Sequence, residues 1–254
     1  MGFDADLTAC AALVERGDPA RFRAAMAAPV PARRVLFPLY AFNIEVARAP
    51  WVTQETMIAE MRLQWWRDVC EEIAEGGPVR RHEVATPLAD VLDAEDARLL
   101  DELVAARRWD VYRDAFEDAD HFARYLDQTS GNLTWVAARR LGAADEAVIR
   151  DAAYGAAVAA WLLAIPELEA AGRVPLLDGT AEGVRALALG AQQRLAGART
   201  RRGAVPKPAR AALLHVGQAD AVLKAAIRDP SAVAGGRLPT ADPGLAWRAL
   251  TGRW

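Results

Sequence analysis

Helical periodicity without strand-like alternation is the feature that most constrains the fold of this 254-residue chain. Runs that alternate Val, Ile or Thr with polar residues are almost absent, whereas the helix-favouring residues Ala, Leu, Arg and Glu are plentiful. Gly and Pro interrupt the pattern at intervals that suit separate helices. The sequence therefore predicts an all-α protein. Because no boundary separates two self-sufficient cores, we expect a single domain over residues 1–254.

Capping residues and helix breakers give approximate helix boundaries. After a first helix over 4–16, Asp18 is expected to cap a short helix that begins at Pro19. Pro38 is expected to kink the third helix, and Pro166 to end the apolar segment. The predicted helices after the second cover approximately 33–48, 53–74, 86–92, 94–108, 118–141, 145–165, 182–200 and 206–228, with a short last helix in LAWRALTGRW and a bridge rich in Pro and Gly at 172–179.

The helix over 53–74 carries an apolar stripe that predicts which of its faces is buried. Trp65 lies on this stripe and is interpreted as core. Trp66 lies off the stripe, which makes it the better candidate for a cavity or a contact. The stripe consists of Met57, Ile58, Met61, Trp65, Val69 and Ile73.

Composition and charge exclude several classes of protein. Hydrophobic residues make up 53% and charged residues 26%, which is typical of a folded chain. The net charge of −3 lacks the positive excess of a nucleic-acid-binding protein. The two cysteines have no metal-binding spacing, so we expect no disulfide and no metal site.

Three segments of the sequence bear on where the protein is located: the N-terminal segment, the apolar run 152–166 and the final helix. The acidic N-terminal segment fits neither a secretory signal nor a transit peptide, and the apolar run 152–166 is too short to span a bilayer. A cytoplasmic protein is expected, with a peripheral contact at the inner membrane as an option. The final helix, with Trp247, Leu250 and Trp254, either docks at a lipid interface or closes the bundle; the sequence does not decide between these.

Three segments together resemble the squalene and phytoene synthase family. They are LYAF at 39–42, MRLQWWRD at 61–68, and YGAAVAAWLLAIP at 154–166 followed by GRVPLL at 172–177. A weaker fourth is YLDQTSGNL at 125–133. The resemblance covers roughly residues 20–180, with C-terminal helices over 182–254. It implies an isoprenoid-synthase-like helical bundle around a central apolar cavity, in which two Asp-rich motifs would hold Mg²⁺ and a prenyl diphosphate.

Both Asp-rich motifs are degenerate in this chain. The first aspartate pair of the family aligns with Ala47 and Arg48, and the second motif aligns with Ile165, Pro166 and Ala170. None of these side chains supplies the hard oxygen ligands that Mg²⁺ prefers. The resemblance is stronger to a divergent branch that includes the mitochondrial complex I assembly factor of phytoene-synthase type and its alphaproteobacterial relatives. Five positions match that branch: Asn43, Glu45, Arg62, Gln64 and Trp66.

These matches define a candidate residual pocket or partner-contact site. Asn43, Glu45, Arg62 and Gln64 either form a polar cluster at the former diphosphate site, with a Glu45–Arg62 or Glu45–Arg67 pair, or make ordinary surface salt bridges. Residues 125–132 either line the old cavity or simply bend a helix. The full set of candidates is Tyr40, Asn43, Glu45, Arg62, Gln64, Trp66, Tyr125, Gln128, Asn132 and Arg173.

The resemblance implies a non-catalytic protein without a cofactor, which assists assembly of NADH:quinone oxidoreductase (complex I) or binds an isoprenoid or other lipid. Its expected partners are a complex I subunit or assembly intermediate, and not nucleic acid. One alternative is an active head-to-head prenyltransferase that uses Mg²⁺ on rearranged ligands such as Glu45, Glu167 and Glu169. A second alternative is a lipid or quinone carrier.

Overall fold

The computed structural model describes residues 5–53, 55–112 and 114–254. Over these ranges the chain forms helices and loops without a β-strand, which confirms the all-α prediction. The α-helices are α1 Ala5–Gly17, α2 Pro19–Ala27, α3 Val30–Arg48, α4 Thr56–Ala74, α5 Ala85–Ala89, α6 Ala94–Ala106, α7 Trp109–Tyr112, α8 Ala119–Leu126, α9 Asn132–Leu141, α10 Glu146–Ala170, α11 Ala181–Thr200, α12 Ala219–Arg228, α13 Ser231–Ala234 and α14 Leu245–Thr251. Shorter 3₁₀ segments cover Arg202–Ala204 and Ala209–Gln218.

Aspartate caps fix several helix starts, because a carboxylate oxygen satisfies a backbone N–H that has no partner within the helix. Asp18 accepts from the Arg21 amide at 2.9 Å and begins α2, as predicted. Asp93 and Asp96 form a reciprocal capping box at the start of α6. Asp118 caps α8 and Asp145 caps α10, each by accepting a backbone N–H of the first turn. Each of these carboxylates therefore has a backbone partner at a helix start.

One π-helical turn, Asp127–Gly131, joins α8 to α9. It lies where a kink was expected around Gly131, and π-helical turns occur often at functional sites. The Thr129 hydroxyl donates back to the Tyr125 carbonyl at 2.6 Å, so this side chain stabilises the turn itself. The turn offsets the two helices and brings Thr129 and Ser130 to the wall of a cavity.

The stripe predicted for α4 is wrong in its first half. Met57 and Met61 are 74% and 66% exposed, and Ile58 is also exposed. Trp66 is buried, whereas Trp65 is only half-buried. The buried face instead consists of Ala59, Leu63, Trp66, Val69, Cys70 and Ile73. Two overlapping stripes fit the sequence, and packing against α6 and against α3, where the Trp66 ring meets that of Phe42, selects the second.

Two predicted breaks in helices also differ from the structure. Helix α10 continues through Pro166 to Ala170, because burial of Ile165 and Leu168 in the core offsets the hydrogen bond that the proline cannot make. The helix predicted over 206–228 is split into a 3₁₀ segment over 209–218 and then α12. The other predicted helices occur near their expected limits.

Helix α10 is the central element, and α9, α11 and α12 pack around it. It is the one helix in the described ranges that is long and apolar enough to cross a bilayer, with a mean hydropathy of 1.5. However, 61% of its apolar window is buried against other helices, as expected for the core helix of a bundle. The buried hydrophobic residues extend from Leu7 to Trp254, so the C-terminal helices share this core.

Candidate functional site

Two adjoining cavities lie along one face of α10. The large chamber has a volume of about 380 Å³ and the small chamber about 220 Å³. Both are lined by Arg21, Ser130, Ala157 and Ala160, so these four residues form the junction between the chambers. Ala160 is exposed although it lies in the middle of a core helix, because the chambers leave open space beside it.

Helical spacing places the walls of the large chamber. Asn43 and Ala47 lie one turn apart on α3, and Trp51 follows in the loop after this helix. The opposite wall is the face of α10 that carries Ala157, Ala160, Trp161, Ala164, Glu167 and Leu168. The indole of Trp161 is held in place because its Nε1 donates to the Pro175 carbonyl at 2.9 Å. On these two walls Glu167 is the one charged residue, and most of the others are alanine or tryptophan.

A buried cluster of Arg107, Asp110 and Tyr125 forms the polar side of the large chamber. Arg107 Nη1 donates to Asp110 Oδ2 at 3.1 Å and to the Tyr125 hydroxyl at 2.7 Å. The hydroxyl donates in turn to the Asp110 carboxylate at 3.0 Å. Burial raises the pKa of Tyr125, and the Asp110 charge raises it further. Burial would lower the pKa of Arg107, but Tyr125 and Asp110 outweigh this, and the pKa is raised. The phenol of Tyr125 therefore stays neutral, and the guanidinium of Arg107 stays charged.

Arg173 and Trp51 lie together at the edge of the large chamber. The guanidinium of Arg173 lies 4.8 Å from the centre of the Trp51 ring and 5.8 Å from that of Trp109, at cation–π distances. Its Nη2 also donates to the main-chain carbonyl of Asp110. Both Trp51 and Arg173 line a further surface cleft. Arg173, one of the candidate residues, thus borders the chamber rather than facing its centre.

The small chamber has a different polar set. Asp18 pairs with Arg21 at 2.8 Å, and His215 and Gln218 line the same space. Burial and the nearby Arg21 charge lower the pKa of His215 to about 3. The imidazole is therefore neutral at physiological pH.

The residues that line the chambers do not fit a Mg²⁺–diphosphate centre. Three carboxylates face the two cavities: Asp18, Asp110 and Glu167. The first two are held in ion pairs with Arg21 and Arg107. Across residues 5–53, 55–112 and 114–254, no three His, Cys, Asp or Glu side chains lie close enough together to hold a metal ion. Mg²⁺ needs oxygen ligands in near-ideal octahedral geometry, which this lining does not offer.

The degenerate motif positions divide between wall and surface. Ala47 lines the large chamber as expected, whereas Arg48 is exposed outside it. On α10, Ile165 is buried in the core, Pro166 is half-buried and Ala170 is exposed, and none of the three faces the chamber. The α10 residues that do face the chamber include Ala160, Ala164 and Glu167. The positions that the alignment assigns to the second motif therefore do not line the cavity.

The predicted polar cluster of Asn43, Glu45, Arg62 and Gln64 does not form. Asn43 faces the large chamber. Glu45 and Arg62 line a separate cleft of about 340 Å³, together with Trp65, Trp66 and His82. Gln64 lies on the exposed side of α4 and donates to Asp68 at 2.8 Å. Residues on one helical turn point in different directions, which is why neighbouring sequence positions reach different cavities.

The predicted pairing of Glu45 with Arg67 is also wrong. Arg67 makes a two-point contact with Asp101, at 2.7 and 2.9 Å, because α4 packs against α6 at this level. The contact raises the pKa of Arg67 through the hydrogen bond to Asp101. Within the described residues Glu45 has no ion-pair partner closer than 4.0 Å.

Three other candidate residues, Tyr40, Asn132 and Gln128, do not line the chambers. Tyr40 is buried, and burial raises its pKa to about 12. Asn132 donates to the Leu99 carbonyl at 2.9 Å and accepts from Arg150 at 3.1 Å, which ties α9 to α6 and α10. Gln128 is half-buried and lines neither chamber. Of the ten candidates, Asn43 and Tyr125 face the chambers.

Several residues that line the chambers were not predicted from the sequence. Arg21, Trp51, the neighbouring pair Arg107 and Asp110, and His215 come from four segments that are far apart in the chain. The one usable signal is Arg107 followed three residues later by Asp110 between aromatic residues, in RRWDVY. This spacing puts the two on one helical face, and an acid among aromatics needs a partner when buried.

The comparisons with solved structures agree with this architecture. The chain superposes on a dehydrosqualene synthase in complex with a ligand with a TM-score of 0.75 at 13% identity, over 97% of this chain and 93% of that one. It superposes on squalene synthase HpnC from Alicyclobacillus acidocaldarius with a TM-score of 0.70 at 17% identity, over 92% and 95% of the two chains. These similarities show that the chain has an isoprenoid-synthase-like helical fold.

Sequence relatives include complex I assembly factors. The assembly factor 6 homolog of NADH dehydrogenase (ubiquinone) complex I from Drosophila melanogaster is 32% identical over 131 residues, which are 49% of this chain and 39% of that protein. The human assembly factor 6 is 25% identical over 138 residues, 54% of this chain and 41% of that protein. The matches thus span about two fifths of the length of these curated relatives.

The family of this chain follows from its match to a family model. The squalene/phytoene synthase model matches residues 14–176, which include α2 to α10 and all of the large chamber. The chain therefore belongs to the squalene/phytoene synthase family.

Proposed function

We propose that this chain is a non-catalytic member of its family that assists the assembly of an NADH:quinone oxidoreductase and holds a lipid or a partner segment in its chambers. The observation that carries the proposal is the large chamber itself. It keeps an open space between α3 and α10, and these helices line it with Asn43, Ala47, Ala160 and Ala164, while Glu167 is the one carboxylate that they add. An alanine offers no ligand to a metal ion.

The assembly role is supported by sequence similarity to the assembly factor 6 proteins of fly and human. The fold alone would not separate an enzyme from a helper, because one fold hosts unrelated functions. The altered chemistry of the chamber walls and the nature of these relatives point in the same direction.

Gene deletion tests the assembly role. We expect membranes from a deletion strain to lose most of their NADH:quinone oxidoreductase activity while succinate:quinone oxidoreductase activity is unchanged, and the encoded wild-type chain to restore the loss. Complementation with Ala160→Phe, which fills the chamber junction, and Ala170→Phe, on the exposed part of the same helix, asks whether the chambers are needed. Unchanged NADH:quinone oxidoreductase activity in the deletion strain would reject the assembly role.

An active prenyltransferase with Glu45, Glu167 and Glu169 as rearranged ligands is not favoured by the geometry. Glu167 borders the large chamber, Glu45 faces a different cleft, and Glu169 is exposed and lines neither chamber. Incubation of the purified chain with farnesyl or geranylgeranyl diphosphate and Mg²⁺ should give no coupled product. Turnover that is lost in Glu167→Gln would overturn the non-catalytic proposal.

A further inference from the structure

The charges that line the two chambers bear on which ligand they accept. Two cationic side chains, Arg21 and Arg107, face the cavities, against three carboxylates, Asp18, Asp110 and Glu167. With Arg173 at the edge of the large chamber, three positive charges stand against three negative charges. Two of the carboxylates are already paired with the two facing arginines, at 2.8 and 3.1 Å. The charges around the chambers therefore sum to zero, and burying a multiply charged anion without a net positive charge to offset it is costly.

The junction between the chambers offers a hydrogen-bond donor. Arg21 lines both chambers, and its Nη1 is bound to Asp18. Its Nε is buried and has no hydrogen-bond partner among the described residues. A buried donor without a partner is rare in native proteins, so an oxygen of a ligand or a water is expected there. Ser130 and Gln218 add neutral polar groups to the same space.

The rest of the lining is apolar and narrow. In the small chamber α10 presents Ala153, Ala156, Ala157 and Ala160, and α12 adds Val222. In the large chamber Trp51 and Trp161 add aromatic faces. Chambers of a few hundred Å³ with such walls and a few polar groups are typical of sites for small apolar molecules.

We infer that the joined chambers bind an uncharged lipid with a hydrogen-bond-accepting oxygen, an alcohol or a carbonyl, and select against the diphosphate of the same chain. The oxygen accepts from Arg21 at the junction, and the apolar chain lies along the alanine face of α10. This inference rests on the proposed non-catalytic use of the chamber but not on the assembly role, because it concerns binding to the isolated chain.

The test compares ligands that differ only at the head group. The full chain is titrated with geranylgeraniol, with the hydrocarbon of the same length, and with geranylgeranyl diphosphate with and without Mg²⁺, by displacement of a fluorescent apolar probe. We expect the alcohol to bind about fivefold more tightly than the hydrocarbon, since a net hydrogen bond contributes about this much. The diphosphate should bind at least tenfold more weakly than the alcohol, without a response to Mg²⁺. A short-chain ubiquinone, tested in parallel, separates a carbonyl from an alcohol as the preferred head group.

Variants locate the binding site. Ala160→Phe should weaken alcohol binding at least tenfold, whereas the matched Ala170→Phe should leave the affinity unchanged. Arg21→Gln should remove the advantage of the alcohol over the hydrocarbon while the hydrocarbon still binds, a result that simple loss of structure would not give. The inference is overturned if none of the ligands binds, if the diphosphate binds more tightly than the alcohol, if Mg²⁺ strengthens its binding, or if Ala160→Phe has no effect.

Discussion

The hydroxyl of Tyr125 lies 3.0 Å from both carboxylate oxygens of Asp110, and the Asp110 side chain is only 5% exposed. The phenol and the guanidinium of Arg107 together satisfy a carboxylate that has little access to water. Tyr125→Phe removes one of these donors and keeps the ring. We expect a loss of about 1–2 kcal/mol in the free energy of unfolding, measured by urea denaturation. Tyr154→Phe is the control, because the Tyr154 ring contacts Arg194 and its hydroxyl has no hydrogen-bond partner among the described residues; it should change the value by less than about 0.5 kcal/mol.

Removing the carboxylate of the same cluster should cost more. Asp110→Ala leaves the guanidinium of Arg107 with no opposite charge, and its side chain is only 19% exposed. We expect a loss of about 3–5 kcal/mol, because a largely buried charge then lacks compensation. The double variant Asp110→Ala, Arg107→Met should recover a large part of it. Equal losses in the single and the double variant would show that the cost comes from the cavity and not from the unpaired charge.

The neutral imidazole of His215 predicts a dependence of stability on pH. Its pKa is lowered by burial from 6.5 to about 3, so between these values the unfolded chain binds a proton that the folded chain does not. The stability due to His215 is therefore fully present above pH 6.5 and is lost progressively as the pH falls toward 3. We expect the free energy of unfolding of the wild type to fall by up to a few kcal/mol between pH 7.5 and pH 5 because of this residue.

The comparison that isolates this effect is His215→Phe, since an aromatic ring keeps the packing against Tyr40, 6.4 Å away. Urea denaturation at pH 7.5, 6.0 and 5.0 should give a shallower pH dependence for the variant than for the wild type. Parallel curves for the two proteins would mean that other groups control the acid sensitivity.

Gly155 lets α10 and α11 approach closely. A Cβ at this position would lie 2.9 Å from Leu195 Cβ and 3.3 Å from the Ala191 carbonyl oxygen, which cannot move without shifting a helix. We expect Gly155→Ala to destabilise the fold by about 1–3 kcal/mol. Gly190→Ala on α11 has open space around the new Cβ and should stabilise by about 0.4–1 kcal/mol. Melting temperatures that move the same way in both variants would contradict this account.

Helix positions were largely predictable from the sequence because the signals are local. Asp18 before Pro19 and Asp93 before α6 act as caps in the structure as the sequence predicts. Which face of α4 is buried was not predictable, since Trp65 and Trp66 belong to two overlapping stripes of similar quality. Only the packing partners of α4, which are α6 and α3, decide between them.

The candidate site was predictable only where helical spacing sufficed. Asn43 and Ala47 face the chamber together because they lie one turn apart. Arg107 and Tyr125 are 18 positions apart in the chain, and their contact depends on how the segment after α6 folds back onto α8. Nothing local in the sequence encodes such a contact, so the cluster that gives the chamber its polar side emerged only from the three-dimensional structure.

Because α10 lines the chambers with alanines, single substitutions can change the length of the chambers during evolution. Each of Ala156, Ala157, Ala160 and Ala164 borders open space, so a larger side chain there shortens the cavity without disturbing the helices behind it. Descendants of one ancestral bundle could in this way be fitted to occupants of different length by single substitutions. Relatives with Val, Leu or Phe at these positions would then hold shorter occupants, or none.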